Sequence, residues 1–145
     1  MRPYALADRH ACLQAFDSNV PRYFAPHERD EFDRFLAAPD AEYFVLEDQA
    51  GAIVGCGGYY VNRESGEAGL VWGMVVRTHH GMGIGRKLLD YRLARLRTDP
   101  DVRMVILETS QHSAGFFAKA GFLIEHIIPD GFAPGLDQVK MRLVW

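Results

Sequence analysis

One stretch constrains the fold more than any other. An apolar run, Gly69-Leu-Val-Trp-Gly-Met-Val-Val76, leads through Arg77-Thr-His-His80 into the glycine-spaced Gly81-Met-Gly-Ile-Gly85 and then Arg86-Lys-Leu-Leu89. A strand feeding a glycine loop that opens an amphipathic helix presents free amide N–H groups at the positive end of the helix dipole, a ready site for an anion. Phosphate oxygens can reach such a backbone because glycine carries no side chain to hold them off. The same residues test two nucleotide motifs. A P-loop needs Gly-Lys followed by Ser or Thr, yet Lys87 follows Arg86 and precedes Leu88. A dinucleotide fingerprint needs glycine where Arg86 stands, and it belongs on the first strand of an alternating fold, not after several strands.

The residues around this loop fix its setting. An extended piece, Met1 to Tyr4, precedes a helix N-capped by Asp8 that runs to about Phe16. A second helix is expected from Pro26 to Leu36, with Glu28, Asp30 and Glu31 early, where the dipole favours negative charge. Strands over Tyr43 to Glu47, Ala52 to Val61 and Ala68 to Val76 are joined by short polar turns and read as an antiparallel meander. Beyond Gly85 the period changes: Leu89, Leu93 and Leu96 mark one helical face, and Arg86, Arg92, Arg95 and Arg97 are expected elsewhere on the surface. A strand over Met104 to Glu108, a short helix over Ser113 to Ala120 and strands over Phe122 to Ile128 and Val139 to Val144 complete the order β-α-α-β-β-β-α-β-α-β-β. Pro129 to Gly135 reads as a long irregular link able to rim a substrate site. A helical connection between strands in one sheet makes them parallel. The expected fold is therefore an α/β domain whose mixed, mostly antiparallel sheet contains one parallel β-α-β crossover, with helices on both faces. At 145 residues and 48% apolar content the chain forms one core, a single domain over 1–145.

The loop resembles the acyl-CoA-binding motif of GNAT acetyltransferases: Gln or Arg, any two residues, Gly, any residue, then Gly or Ala. His80, Gly83, Ile84 and Gly85 fall on it, with an apolar strand end at Val75 before it. The family's later helix ends in aromatic-Tyr-x-Lys-x-Gly-Phe, and here Phe116-Phe-Ala-Lys-Ala-Gly-Phe122 follows Ser110. The resemblance implies a sheet splayed at the crossover, where the pantetheine of acetyl-CoA lies as a pseudo-strand. Backbone groups near Met74, Val75 and Val76 would bind it, and His80, Gly81, Met82, Gly83, Ile84, Gly85 and Arg86 would hold the pyrophosphate. It further implies N-acetyl transfer from acetyl-CoA to a primary amine by direct attack in a ternary complex. The chain departs from the pattern at three positions. His80 replaces Arg or Gln, Ser110 replaces Asn, and Phe117 replaces the tyrosine that in many relatives protonates the leaving thiolate. Phenylalanine has no proton to give, so a non-catalytic acyl-CoA sensor of the same fold is the alternative.

An ammonium acceptor must lose a proton before attack, so a base near the thioester is expected. Glu108, late in its strand, is the first candidate and Glu67 the second; the glutamate that relatives use on the glycine-bearing strand would fall at Gly69, so that role does not transfer. Trp72, Tyr59 and Tyr60 read as core aromatics before they read as an acceptor pocket. His79, His80 and His112 have no metal-ligand spacing, and no metal is expected. Cys12 and Cys56 read as buried thiols. With 16 basic and 19 acidic residues the chain has no charge excess suited to nucleic acid or an anionic membrane, and no run of apolar residues suits a span. The expected partner is a small-molecule or peptide amine in the cytoplasm, with a homodimer left open.

Overall fold

The computed structural model describes residues 1–145. In chain order the elements are β1 (Arg2–Pro3), α1 (Arg9–Ser18), α2 (Glu28–Ala37), β2 (Glu42–Glu47), β3 (Ile53–Asn62), β4 (Glu67–Val75), α3 (Ile84–Arg97), β5 (Met104–Thr109), α4 (Ala114–Lys119), β6 (Leu123–Ala133) and β7 (Leu136–Val144). They build one seven-stranded sheet in the order β1-β2-β3-β4-β5-β7-β6, antiparallel throughout except for the β4–β5 pair. The expected element order, the mixed sheet and the helical crossover are all present.

Side chains alternate across each strand, so the sheet has two buried faces. On one, α1 and α2 lay Cys12, Phe16, Phe32 and Leu36 against Tyr43, Val45 and Cys56. On the other, α3 lays Leu89, Leu93 and Leu96 against Phe44, Tyr59, Leu70 and Val105. Both cysteines are fully buried and unbridged.

Three local expectations change. Asp8 does not cap α1; its carboxylate turns back to accept from the Ala5 amide and to pair with Arg2, because a basic side chain from β1 lies within reach. The stretch expected to be an irregular link after Ile128 is strand as far as Ala133, since β7 starts at Leu136 and offers it a partner across a tight turn. Arg92, expected on the surface, is only 3% exposed. It stands one turn after Leu88, also buried, so the inward arc of α3 is wider than the leucine stripe suggests.

The sheet is irregular where β4 meets its neighbours. Against β3, Cys56 pairs with Met74 but Gly58 pairs with Val71, so Trp72 and Gly73 together oppose Gly57. That bulge puts Trp72 at φ 45° and bends the strand. Against β5, pairing stops after three steps, Glu67 with Met104, Ala68 with Val105 and Gly69 with Ile106. Beyond Gly69 the two parallel strands diverge, and a cavity of about 1160 Å³ opens between them.

Candidate active site

The loop after β4 delivers the helix start that its glycines imply. Gly81 and Gly83 lie at φ 79° and 80°, left-handed conformations that strain any residue with a Cβ. A Cβ built on either would meet no protein atom within 4 Å, so the space above the loop is open. Gly83 is the N-cap of α3 and no side chain caps it. The first helical bond runs from the Lys87 amide to the Gly83 carbonyl, which leaves the amides of Ile84, Gly85 and Arg86 free for an anion. Arg86 is half-exposed and pairs with Asp90 at 2.9 Å. Met82 is 65% exposed, so only its backbone belongs to the loop's concave side.

Along β4 the three carried-over positions differ. The Val76 amide donates to the Val54 carbonyl, and alternation places the Met74 groups toward β3 as well. Val75 turns the other way, into the gap. Its carbonyl accepts from Asn19 Nδ2 and from His80 Nε2, both at 2.9 Å, and its N–H shares that edge. His80 therefore carries its proton on Nε2 and leans on the strand, with its ring edge-on to Tyr23 at 5.1 Å. Tyr23 also meets His112, on the loop after β5, at 6.1 Å, and so spans the mouth of the gap from one diverging strand to the other.

Asn19 is missing from the sequence-based expectations and is the least satisfied polar group in the fold. It is 2% exposed, and its Oδ1 has no partner. The amide cannot be turned round, because Nδ2 serves two carbonyls, Ala15 and Val75, and an oxygen there would face both. Asn19 lines the cavity and holds the Val75 carbonyl from the α1 side, while its Oδ1 stays buried and unpartnered.

On the α1/α2 face, Tyr60 comes from β3 across β4. A Cβ at Gly69 would lie 2.3 Å from its ring and 2.5 Å from its hydroxyl, so the phenol fills the place of a side chain at 69. Burial, then the charges of Glu67 and Glu108, raise its pKa, which keeps it protonated and a donor at neutral pH. Glu67 stands at the closed end of the gap. Glu108 is 48% exposed, accepts from Gln138 and lies 3.8 Å from Lys140. The charges of Glu67 and Glu108 both act on Tyr60, so the three groups share the closed end of the gap, at the opposite end of β4 from the glycine loop. Tyr59, by contrast, is core beside Phe44, and Trp72 packs on Phe32 at 4.9 Å while also lining the cavity. Phe117 lines the cavity too, its ring 5.8 Å from Phe122. No cluster of three or more His, Cys, Asp or Glu side chains is arranged to hold a metal ion. No helix is long and apolar enough to cross a membrane.

Comparison with known proteins matches this fold. A structure from Desulfovibrio desulfuricans assigned to the GNAT acetyltransferases superposes with a TM-score of 0.79 at 23% identity, covering 99% of this chain and 96% of that one. The ribosomal-protein-alanine N-acetyltransferase of Brucella melitensis gives 0.74 at 21%, covering 99% and 98%. An aminoglycoside 6′-N-acetyltransferase complexed with coenzyme A gives 0.74 at 14%, covering 94% and 89%. At these identities the likeness is one of fold. A sequence search of curated proteins finds no match. The family model for the acetyltransferase (GNAT) family matches residues 12–122, the span from α1 through the glycine loop to the end of α4, and the chain belongs to that family of acetyltransferases.

Proposed function

We propose that this enzyme moves an acetyl group from acetyl-CoA to a primary amine by direct attack within a ternary complex. The observation that carries the reading is the divergence of β4 from β5 beyond Gly69, which leaves a channel through the sheet from the glycine loop to the Tyr60 face. One relative of this fold was solved with coenzyme A. The residues present fit the same group. Free amides at Ile84, Gly85 and Arg86 suit a pyrophosphate, and the Val75 N–H on the open edge of β4 suits a pantetheine carbonyl.

Bound acetyl-CoA supplies an activated acyl carbon; the chain supplies position and charge. Anchoring one reactant along β4 and the other beneath α1 and α2 turns a bimolecular encounter into a local one. On the acceptor side the carboxylates of Glu67 and Glu108 attract an ammonium group and take its proton, directly or through water, while the Tyr60 hydroxyl orients the amine. The acceptor is a small-molecule or peptide amine. The outer edge strand β6 exposes Leu123, Ile124 and Ile127, and we extend the proposal to a homodimer formed through that edge. The test is an amine panel followed by thiol release from acetyl-CoA, with mass spectrometry of the product. A gain of one acetyl group on an amine is the expected result. Coenzyme A binding with no transfer to any amine would instead make the chain an acyl-CoA sensor.

A further inference from the structure

Arg92 is a buried cation with no carboxylate partner. From α3 it reaches the β3–β4 bulge, where Nη1 and Nη2 each lie 3.0 Å from a Cβ built at Gly73 and Nη1 lies 3.2 Å from one built at Gly57. Any side chain at either position would displace the guanidinium. Nε donates to the Leu88 carbonyl and Nη1 to the Gly58 carbonyl, both at 3.3 Å. Its other N–H groups meet no protein acceptor. The titratable groups that act on it are Tyr43, which burial keeps protonated, and Cys56, whose thiol is drawn below its ordinary range first by its hydrogen bond with Cys12 and also by the Arg92 charge itself; no carboxylate is among them. Glu67 and Glu108 lie on the opposite face of the sheet, by strand alternation.

A core rarely keeps an ion like this, because an aliphatic side chain would fill the volume without the desolvation penalty. Burial lowers its pKa to about 10, so it is still charged near neutrality. Arg92 also lines the cavity, under Gly73, which is exposed to the gap and stands two residues before Val75. The site therefore holds a fixed positive charge, poorly screened, where an acyl group anchored along β4 would react.

We infer that Arg92 stabilises the negative charge that gathers on the coenzyme A sulfur as the acetyl group leaves, in place of a proton donor on α4. The inference rests on the acetyl-transfer reading above. In the step, the amine nitrogen's lone pair forms the C–N bond and the C–S bond breaks with its electron pair staying on sulfur. The proton lost by nitrogen goes to the acceptor-side carboxylates or water, and the thiolate takes its proton from solvent afterwards. Phe117 has no proton to contribute, and the mechanism asks none of it. Arg92 acts through the field it sets at the sulfur, and no contact with substrate is implied.

The test uses coenzyme A itself, bound to the parent protein and to Arg92→Lys and Arg92→Gln, with the thiolate's ultraviolet absorbance followed through a pH titration. In the parent the bound thiol is expected to ionise roughly one to two pH units below free coenzyme A, to stay low in Arg92→Lys, and to return to the free value or above in Arg92→Gln. Turnover of Arg92→Gln should fall about tenfold or more while the KM for acetyl-CoA changes less than about threefold, because the loss is confined to the transition state. A parent-bound thiol that ionises like free coenzyme A overturns the inference even if no variant folds. So does an Arg92→Gln protein that keeps the shift. Absence of coenzyme A binding to the parent would overturn the acetyl-transfer reading and, with it, this one.

Discussion

The two walls of the cleft are made of different material. The donor wall is backbone: free amides at the start of α3, the Val75 edge of β4, and two glycines at positive φ that no side chain crowds. The acceptor wall is side chain: Tyr60 from β3, Glu67 from β4, Glu108 from β5, and Gln138 and Lys140 from β7. Backbone geometry is set by a few residues close in sequence and has little tolerance. A wall assembled from separate strands can lose one member and keep its shape. One substitution on the donor wall should therefore abolish binding, whereas single substitutions on the acceptor wall should only grade it.

The largest expected effect is on the donor wall. Gly83→Asp places a carboxylate beside the amides that would hold the pyrophosphate. Two unit charges about 4 Å apart at an effective dielectric near 20 repel by roughly 4 kcal/mol, about a thousandfold in affinity. Left-handed backbone adds about 1 kcal/mol of strain to the folded state, less than a domain of this size needs to unfold. Calorimetric titration of coenzyme A, with circular dichroism as the check on folding, should show a folded protein that no longer binds. A folded variant with parental affinity would mean that the loop is only a helix start.

That wall is also the part of the site that could be read from the sequence. Gly81, Gly83 and Gly85 are required by local backbone conformation and space, and local requirements leave local traces. The acceptor wall left weaker ones: Glu67 and Glu108 stand out only as strand-end carboxylates, and Tyr60 reads first as a core aromatic. Tyr60 reaches the gap because it pairs with Gly69, whose missing side chain leaves room for the phenol, and that contact across two strands is not visible in either residue alone. Asn19 follows α1 and looks like an ordinary helix-ending residue until the Val75 carbonyl is set beside it. Arg92 is misread for a related reason: a helical wheel cannot show that Gly57 and Gly73 leave room beneath the helix. The length of β6 escaped because Pro129, Asp130 and Gly131 favour turns and do form an irregularity, beyond which Ala133 pairs again with Leu136.

On the acceptor wall, Tyr60→Phe keeps the ring over Gly69 and removes only the hydroxyl. The expected result is a fall of about tenfold in kcat/KM for the amine, mostly in the amine's KM, with coenzyme A affinity unchanged, as for the loss of one hydrogen bond. Steady-state kinetics with each substrate varied in turn would show it. Loss of coenzyme A binding in this variant would erase the distinction between the walls.

The smallest effect is expected at Phe117→Tyr. The ring already packs on Phe122 and lines the cavity, so a hydroxyl can be accommodated, but a sulfur whose charge is carried by Arg92 gains little from a second source of help. Turnover should change less than about threefold, within what one modest hydrogen bond provides. A large gain would assign the missing acid to α4 and weaken the role given to Arg92.

The most direct measurement is a calorimetric titration of coenzyme A into the unsubstituted protein, paired with its thermal melt in the same buffer. The account predicts saturable binding at one site per chain and a melting temperature that climbs with ligand concentration, since a ligand that binds only the native state stabilises it by mass action. No heat and no shift at about a hundred times a micromolar Kd, where roughly 2.7 kcal/mol of stabilisation is due, would contradict it.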